Sequence, residues 1–192
     1  MRRTRLIGTL FVVASTGCCL LALSCSTTQQ NATAVAKPDP VVRGRYLVTI
    51  MSCNDCHTPG SFYGAPDTLR RLSGSDVGWT GPWGVVHARN LTPDSTTGIG
   101  TWTSEQIVTA LRTGNTPSGA QLAPIMPWMN FTTILDEDDA MAIAAYLKSL
   151  PPVKHQNLDR IPPGQKPTGA NVAFPPPPAW DVPPAKAAAA AK

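Results

Sequence analysis

Aromatic side chains are scarce in this sequence. At 6% of 192 residues they leave a small domain short of bulky interior, so the core is expected to be completed by something besides side chains, such as a cofactor. Excess charge is scarce as well. The formal net charge is +4, with Arg2, Arg3 and Arg5 all in an N-terminal segment of export type. Its removal would leave about +1, which excludes the basic field that a nucleic-acid partner requires. Runs that alternate apolar and polar residues are missing, which points away from strands and toward an all-α domain. Histidine occurs three times. His87 and His155 stand in no paired spacing, so nothing supplies the fourth ligand of a zinc site built on cysteine. Of the five cysteines, Cys18, Cys19 and Cys25 fall within the export segment, which leaves Cys53 and Cys56 as a pair by themselves.

The apolar fraction of 42% is ordinary for a globular chain, and the length suits one domain with tails. Residues 1–25 place three arginines ahead of the uncharged run 6–23, the pattern of an export signal. A membrane anchor is the competing reading, because the run is barely long enough to span a bilayer. Leu23-Ser24-Cys25 followed by polar residues resembles a bacterial lipoprotein processing site, with Cys25 lipidated and Cys18 as a second candidate. Residues 26–39, rich in Gln, Asn, Thr and Ala, read as a flexible tether, and residues 40–152 as the folded domain. Residues 153–192 are rich in Pro and Ala and read as an extended, mostly unpacked tail in which Phe174 and Trp180 are candidates to dock.

Three helices are expected inside 40–152. In VVRGRYLVTIMSC the apolar residues Val42, Tyr46, Leu47, Val48 and Ile50 fall close to helical spacing. Thr103-Ser104-Glu105-Gln106 reads as a capping box before a short helix that Gly114 stops, with Ile107, Ala110 and Leu111 on one face. Acidic residues 136–139 start a last helix that runs to Lys148 before Pro151 blocks continuation.

Cys53-Asn54-Asp55-Cys56-His57 fits C-x-x-C-H, the attachment sequence for c-type haem. Two thiols three apart on a helical turn can each form a thioether with one vinyl group, and the following imidazole is then the proximal iron ligand. A thioredoxin-type pair would need a βαβ setting that does not flank Cys53. The sixth ligand decides between electron transfer, with His and Met on the iron, and chemistry at an open position. Met126, bracketed by Pro124 and Pro127, lies in a loop able to present a thioether. Met129 is its rival, His87 is a further alternative, and Met51 and Met141 read as packing residues.

GRYLV with CNDCHTPG, then NLTPD and TGIGTW, then LAPIMPW, then AIAAYLKSLPPV together resemble the bacterial class I cytochromes c. The likeness is greatest to the cytochrome c domains of periplasmic alcohol, gluconate and aldehyde dehydrogenase complexes. The resemblance implies three to four helices with long loops around one covalent haem c, held through Cys53 and Cys56 with His57 and Met126 axial. It further implies a crossing of the first and last helices at Gly44, close to Ile143 and Tyr146. Arg89, Asn90 and Trp102 are candidates to bind the haem propionates, Pro93 to pack on the proximal side, and Ile107 and Leu111 to line the pocket; each is equally read as an ordinary loop or core residue. The implied function is that of a monohaem electron carrier, not an enzyme, on the periplasmic side of a bacterial membrane and anchored by lipid or N-terminus. Its implied partners are a dehydrogenase donor and a cytochrome or oxidase acceptor. A haem peroxidase or gas sensor with a labile distal ligand is the alternative. The dehydrogenase subunits carry three such domains and this chain one, and its stretch SFYGAPDTLRRLSGSDVGWTG is longer than expected.

Overall fold

The structure, a computed structural model, describes residues 37–175. The expected export signal, the lipidation site at Cys25, most of the tether and Trp180 lie outside the described residues. Helix α1 (Pro40–Ile50) starts where Asp39 Oδ1 accepts the main-chain N–H groups of Val41 at 2.8 Å and Val42 at 3.2 Å, with Pro40 in the first turn. It buries Gly44, Leu47 and Val48, whereas Val42, Tyr46 and Ile50 are exposed. Helix α3 (Ser104–Thr113) follows the short α2 (Cys53–His57). It opens on a capping box, Thr103 N–H donating to Gln106 Oε1 at 2.9 Å and Gln106 N–H to Thr103 Oγ1 at 3.2 Å, and it ends at Gly114 in the left-handed conformation. Helix α5 (Glu137–Ser149) is capped by Asp136, carries three acidic residues in its first turn, and buries Ala140, Ala142, Ile143, Ala144, Tyr146 and Leu147.

α1 crosses α5 at Gly44, where a Cβ would lie 1.9 Å from the carbonyl oxygen of Ala142 and 2.7 Å from Tyr146 Cβ. The close neighbours are thus Ala142 and Tyr146 rather than Ile143 and Tyr146. The fork of Arg43 closes the crossing on Asp139 with two bonds of 2.8 Å. One apolar cluster unites α1, α3 and α5 with Leu72, Ile99, Phe131 and Leu135. Among the described residues no helix is long and apolar enough to cross a membrane.

The expectation of an all-α domain needs correction. The described residues are mostly helical, but they also form a three-stranded sheet of order β2-β1-β3, and among them there are five α-helices rather than three or four. β1 (Gly78–Gly81) and β2 (Gly84–His87) make an antiparallel hairpin, and β3 (Asn171–Ala173) adds to β1 in parallel. GWTG, GVVH and NVA are too short to display an alternating pattern, and the first two are weakened further by glycine. Their pairing comes from main-chain bonds between segments some ninety positions apart (Gly78 with Asn171). The extra helix α4 (Trp128–Ile134) follows Pro127, in a stretch that its prolines mark as loop.

Candidate functional site

Ser52 takes φ 56°, a left-handed conformation uncommon outside glycine. It turns the chain from the end of α1 into the single turn α2 (Cys53–His57). Cys53 and Cys56 are free thiols three positions apart on that turn, both partly buried. Burial pushes the Cys53 thiol up to about 11. Burial and then the charge of Asp55 raise Cys56 as well. Both are therefore protonated at neutral pH, unlike the activated thiolate of a disulfide oxidoreductase.

His57 Nδ1 lies 2.7 Å from the main-chain carbonyl oxygen of Arg89. A carbonyl only accepts, so Nδ1 carries the proton and the neutral ring keeps its lone pair on Nε2. Desolvation lowers the pKa of His57, opposed in part by that bond, so the neutral form prevails at pH 7. The main chain of His57 is fixed too, since Gly74 N–H donates to its carbonyl at 2.7 Å. Thr58, almost fully buried, donates to Asn54 Oδ1 at 3.1 Å and accepts Leu72 N–H at 2.9 Å. Leu72 is itself buried at φ 60°. Leu91 N–H then donates to Leu72 O at 2.8 Å, so residues 72–74 and 89–91 form a backing for α2.

Met126 occupies the turn before α4, partly buried against the same apolar cluster that Cys53, Leu91 and Trp102 border. Met129, on α4, is 48% exposed. Ile107 and Leu111 lie buried in the cluster on α3. His87 stands in β2 opposite Gly78, with a buried Nδ1 that has no partner among the described residues. Pro93 is half-buried in the NLTPD stretch.

The structure engages the first two propionate candidates elsewhere. Asn90 is 1% exposed and uses both ends of its amide: Nδ2 donates to Thr97 Oγ1 at 3.0 Å and Val153 O at 2.8 Å, and Oδ1 accepts from Thr92 N at 2.9 Å and Thr92 Oγ1 at 2.7 Å. Arg89 donates from Nη1 to the carbonyls of Asn157 at 3.4 Å and Leu158 at 3.2 Å. Trp102 is half-buried at the edge of the cluster, its carbonyl taking a 2.7 Å bond from Lys148 Nζ.

Asp94, the last residue of NLTPD, accepts from the hydroxyl and the N–H of both Thr96 and Thr97 through Oδ1. Those bonds, led by the Thr97 hydroxyl, hold its carboxyl down to about 2. A depressed carboxyl contributes stability that is complete above its unfolded pKa and is lost as pH falls through the folded one. Melting midpoints measured against pH are accordingly expected to fall for the native chain between about pH 4 and pH 2. Asp94→Asn is expected to lie below the native chain at pH 7 and to lose part of that acid dependence; superimposable pH profiles would contradict this.

Two free thiols on one turn, a neutral imidazole with an uncommitted Nε2, and a thioether at the edge of an aromatic-poor core fit a covalently held haem. Among the described residues no group of three or more His, Cys, Asp or Glu side chains is arranged to hold a metal ion by itself. The contributions that sequence reasoning missed are Gly74, Leu72 and the carbonyl of Arg89. Main-chain roles of this kind leave no mark in residue type, apart from the glycine at φ 93°.

The model of the family described as Cytochrome c matches residues 41–151. The cytochrome c subunit of a quinone-dependent alcohol dehydrogenase from Gluconobacter oxydans is 32% identical over 117 residues, 61% of this chain and 23% of that protein. The cytochrome subunit of fructose dehydrogenase from Gluconobacter japonicus is 35% identical over 120 residues, 62% of this chain and 23% of that one. A diheme cytochrome c-type protein of Cereibacter sphaeroides is 35% identical over 117 residues, 58% and 36% of the respective lengths. The matched stretch thus spans between 23% and 36% of the length of these relatives.

Proposed function

Because this chain belongs to the cytochrome c family, we propose that it is a monohaem electron carrier whose iron is held by His57 and Met126. The observation that carries the reading is the CNDCH turn, with its imidazole locked through Nδ1 and its lone pair left on Nε2. When bound, haem c supplies one-electron cycling between ferric and ferrous iron. Cys53 and Cys56 hold it by two thioether bonds, and the single CxxCH in the sequence supports one haem. Nε2 of His57 and the sulfur of Met126 would be the protein's two donors to its iron. The buried, hydrogen-bonded backing of α2 keeps the imidazole in one orientation in both oxidation states, which keeps reorganisation small. Ile107 and Leu111 exclude water from the interior, and Trp102 is the remaining polar candidate for a propionate. No proton or bond of a substrate is exchanged.

The relatives are named as cytochrome subunits of alcohol and fructose dehydrogenases, which supports a dehydrogenase as electron donor, with a cytochrome or oxidase as acceptor. The N-terminal arginines and the uncharged run behind them support export to the periplasmic side and retention at the membrane.

Magnetic circular dichroism of the matured protein tests the assignment. The methionine-to-iron signal is expected in the native chain and in Met129→Ala, and is expected to vanish in Met126→Ala. Its persistence in Met126→Ala would remove Met126 from the iron.

A further inference from the structure

The chain beyond residue 151 lies outside the matched family stretch and reads from composition as a loose tail. Instead residues 153–174 run along the side of the domain that backs α2. Val153 N–H donates to Thr92 Oγ1 at 3.0 Å, and its carbonyl takes Asn90 Nδ2 at 2.8 Å. His155 N–H donates to Thr97 Oγ1 at 3.0 Å. Ile161 exchanges two 2.9 Å main-chain bonds with Val85, and Arg160 reaches Trp83 O at 2.8 Å. β3 then pairs with β1, and Phe174 stacks on Trp79 at 6.2 Å. Residues 153–174 are therefore a strap fastened at several points.

At the middle of the strap, Asn157 meets both anchors of His57. Its side chain, 3% exposed, lies so close over Gly74 that a Cβ there would come 2.3 Å from Nδ2. Gly74 is the residue whose N–H holds the carbonyl of His57. The carbonyl of Asn157, together with that of Leu158, receives the guanidinium of Arg89, whose own carbonyl takes the Nδ1 proton of His57. Neither amide atom of Asn157 has a hydrogen-bond partner among the described residues. A buried amide carried at that cost is accounted for by position rather than by bonding.

We propose that the strap is a positioning device for the proximal ligand: Arg89, gripped by the carbonyls of Asn157 and Leu158, and Asn157, seated on Gly74, set the orientation and the Nδ1 hydrogen bond of His57. This rests on His57 being an axial ligand. A donated Nδ1 proton makes the imidazole the stronger electron donor, which favours ferric iron and lowers the potential. Arg89→Ala therefore shifts the potential upward. Loss of a nearby positive charge acts in the opposite direction, because ferric iron is the more positive state. The sign of the shift thus separates positioning from bulk electrostatics.

The test uses the full matured chain. Its readouts are reduction potential and the rate at which the imidazole Nδ1–H of the proximal histidine exchanges with solvent in nuclear magnetic resonance. Arg89→Ala and Asn157→Ala are expected to raise the potential and to speed exchange at least tenfold. Arg89→Lys, which keeps the charge but has the shorter side chain and so sets its ammonium short of the Nη1 position, is expected to behave as Arg89→Ala does. Arg160→Ala, which releases the strap only at the hairpin, is expected to leave both readouts at the native value. Native exchange in Arg89→Ala, a downward shift of its potential, or full rescue by lysine would overturn the proposal. If instead the native chain shows no histidine-ligated haem, the underlying reading fails first and is recognised by that absence.

Discussion

Gly44→Ala is expected to lower the stability of the folded domain by about 2 kcal/mol, read as a fall in the urea midpoint at unchanged slope. The sign needs weighing, because alanine favours an isolated helix over glycine by about 1 kcal/mol. Against this, the added methyl would stand 1.9 Å from the carbonyl oxygen and 2.6 Å from the carbonyl carbon of Ala142. Both are main-chain atoms of α5 and cannot rotate aside, so α1 and α5 must separate. Overpacking of that kind costs about 3 kcal/mol, which outweighs the propensity gain. Separation also strains the Arg43–Asp139 fork at 2.8 Å and loosens Leu47 and Val48 from the cluster. An alanine variant as stable as the native chain would show that the helices do not cross at Gly44. Valine there is expected to be worse, since its branch adds volume to a contact already closed.

The parts of this fold legible in the sequence are those whose signals are local. The capping box at Thr103, the glycine stop at Gly114 and the acidic start of α5 at Asp136 are each written within four residues. The cysteine pair and His57 are equally local, as a motif on one turn of helix. The hairpin and the strap were not legible, because β1 is completed by Asn171–Ala173, and a stretch of three residues with no alternation carries no strand signal. The same holds within the site. Arg89 and Asn90 read as polar groups free for a cofactor, but their side chains are held by Val153, Asn157 and Leu158, residues whose composition suggests a tail. α1 departs in another way: apolar Val42, Tyr46 and Ile50 are exposed, and the face that packs is centred on a residue with no side chain at all.

Replacing both thiols, Cys53→Ser with Cys56→Ser, is expected to give a chain from which acidic acetone extracts all pigment, whereas the native protein retains its colour. Each single variant should keep one thioether and so resist extraction, with a pyridine haemochrome spectrum displaced from that of the native protein by the one vinyl group left intact. The two sites are not equivalent. Cys53 packs against the apolar cluster and burial above all pushes its thiol up to about 11, whereas Cys56 is only partly buried and lies away from that cluster. Serine at 53 therefore brings a hydroxyl to the edge of the core and is expected to cost the more stability of the two, about 1 to 2 kcal/mol. Loss of the cofactor itself is the larger effect. A group that binds only the folded chain stabilises it by mass action, by about 4 kcal/mol for a ligand at a thousand times its dissociation constant. A tether cannot be diluted away, so the fall in melting temperature on losing it should exceed that of any single core substitution. Colour that survives extraction in the double serine variant would show that the cofactor is held elsewhere, and with it the assignment of Cys53, Cys56 and His57 would fall.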